Sequence, residues 1–179
     1  MDRDTCCSNF QDVTDFSREM VNSLDEVTVD TLFSIVRFST SASLVSDLSS
    51  AEQTLEVLDN LQYSGGLTNQ AQAIQLCQES LQSSPNKDWK NMIVLITDGS
   101  PTSPYEDPKT KAQDAATDAK AAGTFIAPVL ISPRFDFFTS DRLEFMKNIS
   151  SDGNVLNVDN FDGLYDLKES LIGQILCQT

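Results

Sequence analysis

The sequence predicts an α/β fold, a Rossmann-like three-layer α/β/α arrangement with a mainly parallel sheet and one short antiparallel edge strand. Apolar runs of strand length occur at residues 92–97 and 125–131, and segments of helical periodicity lie between and around them. Strands that alternate with helices build βαβ units whose sheet is covered on both faces. A length of 179 residues without a repeat or linker predicts a single domain over residues 1–179.

The individual elements follow from periodicity along the chain. Apolar residues from Phe10 to Leu24 recur at helical spacing, and Ser8 or Asn9 is the expected N-cap. Pro128 lacks a backbone donor, which predicts an edge position or a bulge for its strand. Gly123 is expected to close the helix before that strand. Further strands are predicted at residues 31–39, 42–48 (the edge strand) and 155–158, and further helices at 51–61, 67–81, 108–122, 141–149 and 161–176.

The composition narrows the function classes. The formal net charge is −15 and the chain has no histidine. Nucleic acid and anionic membranes are therefore disfavoured as partners, whereas cations are favoured. The lack of histidine removes the usual general base and zinc ligand. The apolar stretches are too short to span a bilayer, and no apolar signal segment follows Met1.

The four cysteines allow two interpretations. Cys6, Cys7, Cys77 and Cys177 permit three pairings if all are oxidised. A bridge from Cys6 or Cys7 to Cys177 would join the two ends of the chain and add a few kcal/mol. The alternative is four free, buried thiols, and spacing alone does not decide between them.

A candidate cation site lies where the strand at residues 92–97 ends. Asp98 follows that strand, and residues 65–69 (Gly-Gly-Leu-Thr-Asn) open a helix 30 residues earlier. Ligands of parallel sheets bind at the carboxyl ends of strands, and Mg²⁺ takes hydroxyl and carboxylate oxygens. We therefore expect Thr68 and Asp98 to converge on one cation, with Gly66, Ser100 and Thr102 at its rim. The alternative is an ordinary turn and an ordinary helix cap.

These motifs resemble those of the von Willebrand factor type A domain, and the resemblance covers nearly the whole chain. It rests on residues 9–10, 37–39, 65–69, 94–99 and 154–161. The resemblance implies a metal-ion-dependent adhesion site that binds Mg²⁺, Mn²⁺ or Ca²⁺, with Thr68 and Asp98 as ligands. It also implies recognition without catalysis, a protein or extracellular-matrix partner whose acidic side chain completes the coordination, and an extracellular or cell-surface location.

One part of the family pattern is missing. The chain has no Asp-x-Ser-x-Ser motif and no apolar first strand before it. Counting back from Asn9 places Asp2 and Asp4 near the two Ser positions, so they are weaker metal candidates. Without the first strand, the strands around Phe33 and Val94 are expected to lack a shared neighbour. We expect an N-terminally incomplete domain; the alternative is a degenerate domain without a functional metal.

Three functions compete on the sequence alone. The leading interpretation is a non-enzymatic binding module that engages its partner through a cation held partly by Thr68 and Asp98. The full site needs further acidic or hydroxyl ligands that this sequence lacks, so this chain alone is not required to hold the cation. A metal-dependent, phosphatase-like hydrolase with Asp98 as nucleophile is the second, although no basic residue follows Asp98 until Lys109. A metal-free protein-interaction domain is the third.

Overall fold

A computed structural model describes residues 3–28, 30–102, 106–132 and 139–177, with the side chains of residues 3–7 and 139 left out of the description. The elements in chain order are α1 (Arg3–Val27), β1 (Phe33–Phe38), β2 (Ala42–Ser49), α2 (Ala51–Asp59), α3 (Gln70–Gln82), β3 (Met92–Thr97), α4 (Pro108–Ala121), β4 (Phe125–Ile131), α5 (Thr139–Ile149), β5 (Leu156–Val158) and α6 (Leu164–Leu176). The predicted order of strands and helices is confirmed. Among the described helices, none has the length and apolar content needed to cross a bilayer.

The strands form two sheets. β1 and β2 make an antiparallel pair, and β3, β4 and β5 make a parallel sheet with β4 in the middle. This confirms the α/β class, the mainly parallel sheet and the antiparallel strand at residues 42–49. Within the described residues β1 pairs with β2 alone and β3 with β4 alone, so β1 and β3 share no neighbour, as the missing first strand predicts.

Helices pack on both faces of the strands. One apolar cluster joins Ile74 of α3 and Ala116 of α4 to Ile93 of β3, with Phe38 of β1 packed against it. On the other face, Phe16 of α1 packs in a cluster with strand β4 and helix α6. All residues of β4 after Phe125 are buried, which is typical of a strand covered on both faces.

Local capping residues set where several helices begin or end. Ser50 and Gln53 form a capping box at the start of α2, and Asp107 caps α4 by accepting a hydrogen bond from Thr110. Gly123 follows the C-cap of α4 with φ +87°, so its predicted role at the end of that helix is confirmed.

The predicted start of the first helix is wrong. Helix α1 begins at Arg3, so Ser8 and Asn9 lie inside it and do not cap it. The segment before them contains neither Gly nor Pro, and nothing in it stops the helix from extending.

The edge position or bulge predicted from Pro128 is also wrong, because β4 is the central strand and pairs regularly with β3. The carbonyl of Ile126 accepts a hydrogen bond from Ser151 on the β5 side, and Pro128, two residues on, faces the same side. β5 first pairs one residue later, where Leu156 lies opposite Val129. The backbone N–H that Pro128 lacks would therefore lie before the first residue pair of β4 and β5, so the pairing of these two strands loses no hydrogen bond.

The two cysteines whose side chains are described are free. Because Cys177 is free, the bridge from Cys6 or Cys7 to Cys177 is not formed in this structure, and because Cys177 is exposed, the alternative of four buried thiols does not hold for it either. Cys77 is partly buried, and its burial raises the thiol pKa to about 12.

Candidate functional site

Two loops meet at the carboxyl ends of the strands, and Thr68 and Thr102 join them. The backbone N–H of Thr68 donates to Oγ1 of Thr102 at 3.1 Å, and the N–H of Thr102 donates to the carbonyl oxygen of Thr68, also at 3.1 Å. The predicted site residue Thr68 and the predicted rim residue Thr102 are thus in direct contact. Their hydroxyl groups lie on loops that are fixed relative to each other.

Gly66 shapes the first of these loops by a backbone conformation that other residues rarely adopt. Its φ is +120°, and a Cβ at this position would lie 2.5 Å from Oγ1 of Thr40. The same Thr40 hydroxyl accepts a hydrogen bond from the N–H of Leu67 at 3.2 Å. Glycine is needed here because of the positive φ and because a side chain would collide with Thr40. The conformation of Gly66 therefore determines the course of the backbone that leads to Thr68.

Asp98 is held at the end of β3 by a tight turn. The side chain of Thr97 is buried, and its hydroxyl bonds with both the N–H and the carbonyl of Gly99, at 3.3 and 3.2 Å. These bonds clamp the backbone on either side of Asp98, which is exposed. The carboxylate is therefore presented to solvent at the predicted edge of the sheet, and Ser100 follows it half-buried.

Gln70 is a residue of this region that the sequence reasoning missed. It is fully buried, and its Nε2 donates to the carbonyl of Gly99 at 2.9 Å and to Oγ1 of Thr97 at 3.3 Å. Its Oε1 is buried and has no hydrogen-bond partner in the described part of the chain. The available signal was a polar residue at the first position of a helix whose next residues, Ala71 and Ile74, are buried against the sheet.

Asn69 connects the same loop to β1. It caps α3 by accepting a hydrogen bond from the N–H of Gln72 at 3.2 Å, and its own N–H donates to the carbonyl of Ser39 at 2.8 Å. Ser39 directly follows β1. Residues 68–70 therefore contact the carboxyl ends of both β1 and β3, which lie at one edge.

The donor set at this edge matches a hard cation in chemistry. Thr68, Ser100 and Thr102 offer hydroxyl oxygens, and Asp98 offers a carboxylate. Mg²⁺ commonly binds through one or two carboxylates and keeps several waters. In the described part of the chain, no group of three or more Asp, Glu or Cys side chains is arranged to hold a metal. Among residues 65–69 and 98–102, Asp98 is the one acidic residue, so the expected affinity is low.

The weaker metal candidates stay predictions. Asp2 lies outside the described residues. Asp4 belongs to α1, and its side chain is likewise outside the description.

A second group of acidic residues lies on α1 and in the loop between β5 and α6. Burial raises the pKa of Asp12, and the nearby charges of Asp162 and Asp15 raise it further. Burial and the same group of acids raise the pKa of Tyr165. These acids concentrate negative charge but do not belong to the two loops that carry Thr68 and Thr102. A cation attracted by charge alone would bind here, so this group serves as a comparison for binding at Asp98.

The fold and these loops define a class, the three-layer α/β domains with a candidate ligand site at the carboxyl edge of the sheet. A comparison with protein families matches residues 7–170 to the von Willebrand factor type A domain. The match covers most of the chain, which therefore belongs to this family. A comparison with curated proteins found no match.

Several solved structures share the fold. Proximal thread matrix protein 1 from the mussel byssus is 23% identical with a TM-score of 0.76 over 92% of this chain and 42% of its own length. The PilB minor pilin from Streptococcus sanguinis is 18% identical with a TM-score of 0.72, over 92% of this chain and 53% of its own.

A third neighbour is nearly coextensive with this chain. The vWF domain of the type V pili tip protein Mfa5 from Porphyromonas gingivalis is 10% identical with a TM-score of 0.76, over 94% of this chain and 88% of its own. By contrast, this chain covers less than two thirds of the length of the mussel protein and of the minor pilin. A further structure of the mussel protein, 22% identical with a TM-score of 0.75 over 92% of this chain and 42% of its own, has a zinc-occupied MIDAS motif.

Proposed function

We propose that this domain is a non-enzymatic adhesion module that binds a protein or matrix partner through a divalent cation at the carboxyl edge of the sheet. Thr68 and Asp98 are the proposed cation ligands, and Gly66, Ser100 and Thr102 form the rim that contacts the partner. The observation that carries the proposal is the pair of hydrogen bonds that fixes the Thr68 loop against the loop following Asp98.

The role of each residue follows from its surroundings. When bound, the cation supplies a positive centre that accepts an oxygen ligand from the partner. Asp98 is exposed and supplies the charge that attracts the cation, while Thr68 adds a neutral oxygen. The net charge of −15 raises the local concentration of cations and repels an acidic partner. A bound cation would offset this repulsion and so allow an acidic side chain of the partner to bind.

The structural neighbours support the same class of function. They include a matrix protein, a minor pilin and a pilus tip protein, and one of them has a zinc-occupied MIDAS motif. These proteins act outside cells, which supports an extracellular or cell-surface location for this domain. The proposed cation is Mg²⁺, with Mn²⁺ and Ca²⁺ as alternatives.

The proposal is tested by calorimetric titration of the 179-residue chain with Mg²⁺, Mn²⁺ and Ca²⁺. We expect weak binding of one ion, at least tenfold weaker in Asp98→Asn because the one carboxylate among residues 65–69 and 98–102 is lost. Asp88→Asn is the matched control, since Asp88 is also exposed but precedes β3 at the opposite end of the strand. Equal weakening by both variants, or no binding at all, would contradict the cation part of the proposal.

A further inference from the structure

Residues 148–150 (Asn-Ile-Ser) match the pattern at which asparagine is glycosylated in secreted proteins, Asn-x-Ser or Asn-x-Thr with x other than proline. No other asparagine in the sequence has Ser or Thr two positions later. The pattern is short, so its use depends on whether the folded domain leaves room for a sugar chain at Asn148. We call these three residues the acceptor segment.

Asn148 lies on the solvent side of α5, one residue before the end of that helix. Phe145, Met146 and Ile149 of the same helix are buried in the apolar cluster that also contains Ile93 of β3. Burial of these side chains fixes which side of α5 faces the core, and Asn148 is exposed on the other side. Its side-chain amide has no hydrogen-bond partner within the described residues. A sugar attached to this amide would therefore break no contact of the fold.

The backbone of the acceptor segment is held in place by Lys120 of α4. Nζ of Lys120 donates to the carbonyl oxygen of Asn148 at 2.9 Å and to that of Ser150 at 3.2 Å. The N–H of Ser150 donates to the carbonyl oxygen of Met146 at 2.9 Å. Because both sides of Asn148 are fixed, its side chain leaves the domain in a defined direction.

The acceptor segment lies at the amino edge of the parallel sheet. Next to it, the N–H of Ser151 donates to the carbonyl oxygen of Ile126 at 3.1 Å, and the N–H of Ile126 donates to Oγ of Ser151 at 2.9 Å. Ile126 is the second residue of β4, so these bonds lie where the strand begins. Thr68 and Asp98 lie at the opposite, carboxyl edge. A glycan on Asn148 would thus be at the far end of the domain from the proposed cation contact.

Ser150 indicates when the acceptor segment is accessible. The glycosylating enzyme recognises the hydroxyl two positions after the asparagine. In the folded domain Ser150 is buried, and its Oγ donates to Oδ1 of Asp152 at 2.8 Å. The hydroxyl is therefore available before α5 packs on the sheet, whereas the Asn148 side chain stays exposed after folding.

We propose that Asn148 is an N-glycosylation site, modified when the chain enters the secretory pathway. Nδ2 of Asn148 forms a bond to C1 of the first sugar of an oligosaccharide carried on a lipid pyrophosphate. The bond between C1 and the pyrophosphate oxygen breaks, the lipid pyrophosphate leaves with the electron pair, and the amide loses one proton. The site rests on the extracellular location in the proposed function and needs no cation. The glycan covers the amino edge and leaves the carboxyl edge free for the partner.

The test adds a cleavable leader to the 179-residue chain and translates it with endoplasmic-reticulum microsomes. The leader brings the chain into the lumen, so the result does not depend on the native location. Most of the protease-protected chain should migrate at a higher apparent mass. Peptide N-glycosidase should reverse this shift and leave aspartate at position 148, as read by peptide mass spectrometry. A protected chain without the modification overturns the proposal.

Substitutions within and near the acceptor segment provide the controls. Asn148→Gln and Ser150→Ala should abolish the shift, whereas Ser150→Thr keeps the hydroxyl and should retain it. Asn157→Gln is the matched control, since Asn157 is also exposed but lies outside the pattern, and it should be modified like the wild type. A shift that persists in Asn148→Gln assigns the glycan elsewhere and overturns the proposal.

A further measurement tests the outward direction of the glycan. The glycosylated protein and the same protein after peptide N-glycosidase should unfold at the same urea concentration, because the Asn148 amide has no partner to lose. A marked loss of stability in the glycosylated form would overturn the placement of the glycan outside the fold. The calorimetric cation titration uses unmodified protein, so failure of the cation site and failure of the glycosylation site are observed separately.

Discussion

Thr68 and Thr102 bind each other reciprocally: each backbone N–H donates to an oxygen of the other residue at 3.1 Å. One acceptor is the carbonyl of Thr68, but the other is the Thr102 side-chain hydroxyl. This links the helix-opening loop to the loop after β3 and makes a single surface from two segments 34 residues apart. The bond to the Thr102 hydroxyl is the one of the two that a side-chain substitution can remove.

Thr102→Val removes the acceptor for the Thr68 N–H while keeping the side-chain shape. Because the bond is exposed, we expect a loss of about 0.5–1 kcal/mol in the free energy of unfolding. Urea denaturation measures it, and Thr102→Ser, which keeps the hydroxyl, should stay close to the wild type. Equal losses in both variants would show that the methyl group matters rather than the hydrogen bond.

Gly66→Ala should destabilise the domain more strongly. The φ of +120° strains any residue with a side chain, and the new Cβ would meet Oγ1 of Thr40 at 2.5 Å. We expect a loss of about 1–3 kcal/mol in the free energy of unfolding. Gly173→Ala is the matched control, since it lies in α6 with no atom near its added Cβ. That control should be neutral or stabilising, and a neutral Gly66→Ala would contradict the loop conformation.

Asp152 should make stability depend on pH in the acid range. Burial raises the pKa of Asp152, but hydrogen bonds from Asn154, Ser150 and Gln174 outweigh it and hold the pKa below its usual value. A lowered native pKa means that the stabilisation is present above the unfolded-state pKa and is lost as pH falls through the native one. The difference in unfolding free energy between wild type and Asp152→Asn should therefore be largest near neutral pH and vanish in acid. A difference that persists in acid would contradict this origin.

Cys77 and Cys177 should differ in reactivity. The thiolate is the reactive form, and burial raises the Cys77 pKa to about 12, whereas Cys177 is exposed. Brief iodoacetamide treatment of the native protein at mildly alkaline pH should label Cys177 and leave Cys77 unlabelled, as read by peptide mass spectrometry. Denaturant is the control, since it should equalise the two labels. Rapid native labelling of Cys77 would contradict its burial.

The sequence predicted the buried strands best. β3 and β4 begin and end where their apolar runs do, because a strand covered on both faces needs an uninterrupted apolar sequence. The start of α1 was missed because Ser8 and Asn9 match the N-cap preference, yet nothing before them stops a helix. Pro128 was misplaced because its effect depends on which neighbour its backbone faces and on where β5 begins, both of which are tertiary facts.

The candidate site was predictable in part. Thr68 and Asp98 stand out because each ends or opens an element at the carboxyl edge, and Thr102 was expected at the rim. The sequence signal at Gln70 was weak, since a glutamine at a helix start is usually exposed, and its burial follows from the way α3 joins β1 to β3. The separation of the two sheets was expected from the missing strand.

The most direct test of the central claim is Mn²⁺ titration monitored by paramagnetic broadening of assigned backbone amides. If the cation binds as proposed, amides of residues 66–69 and 98–102 should broaden first, at substoichiometric Mn²⁺, and Asp98→Asn should remove that effect. Broadening that begins instead around Asp12 and Asp162, or that spreads evenly over the acidic surface, would show that charge alone attracts the ion and would contradict a cation site at Thr68 and Asp98.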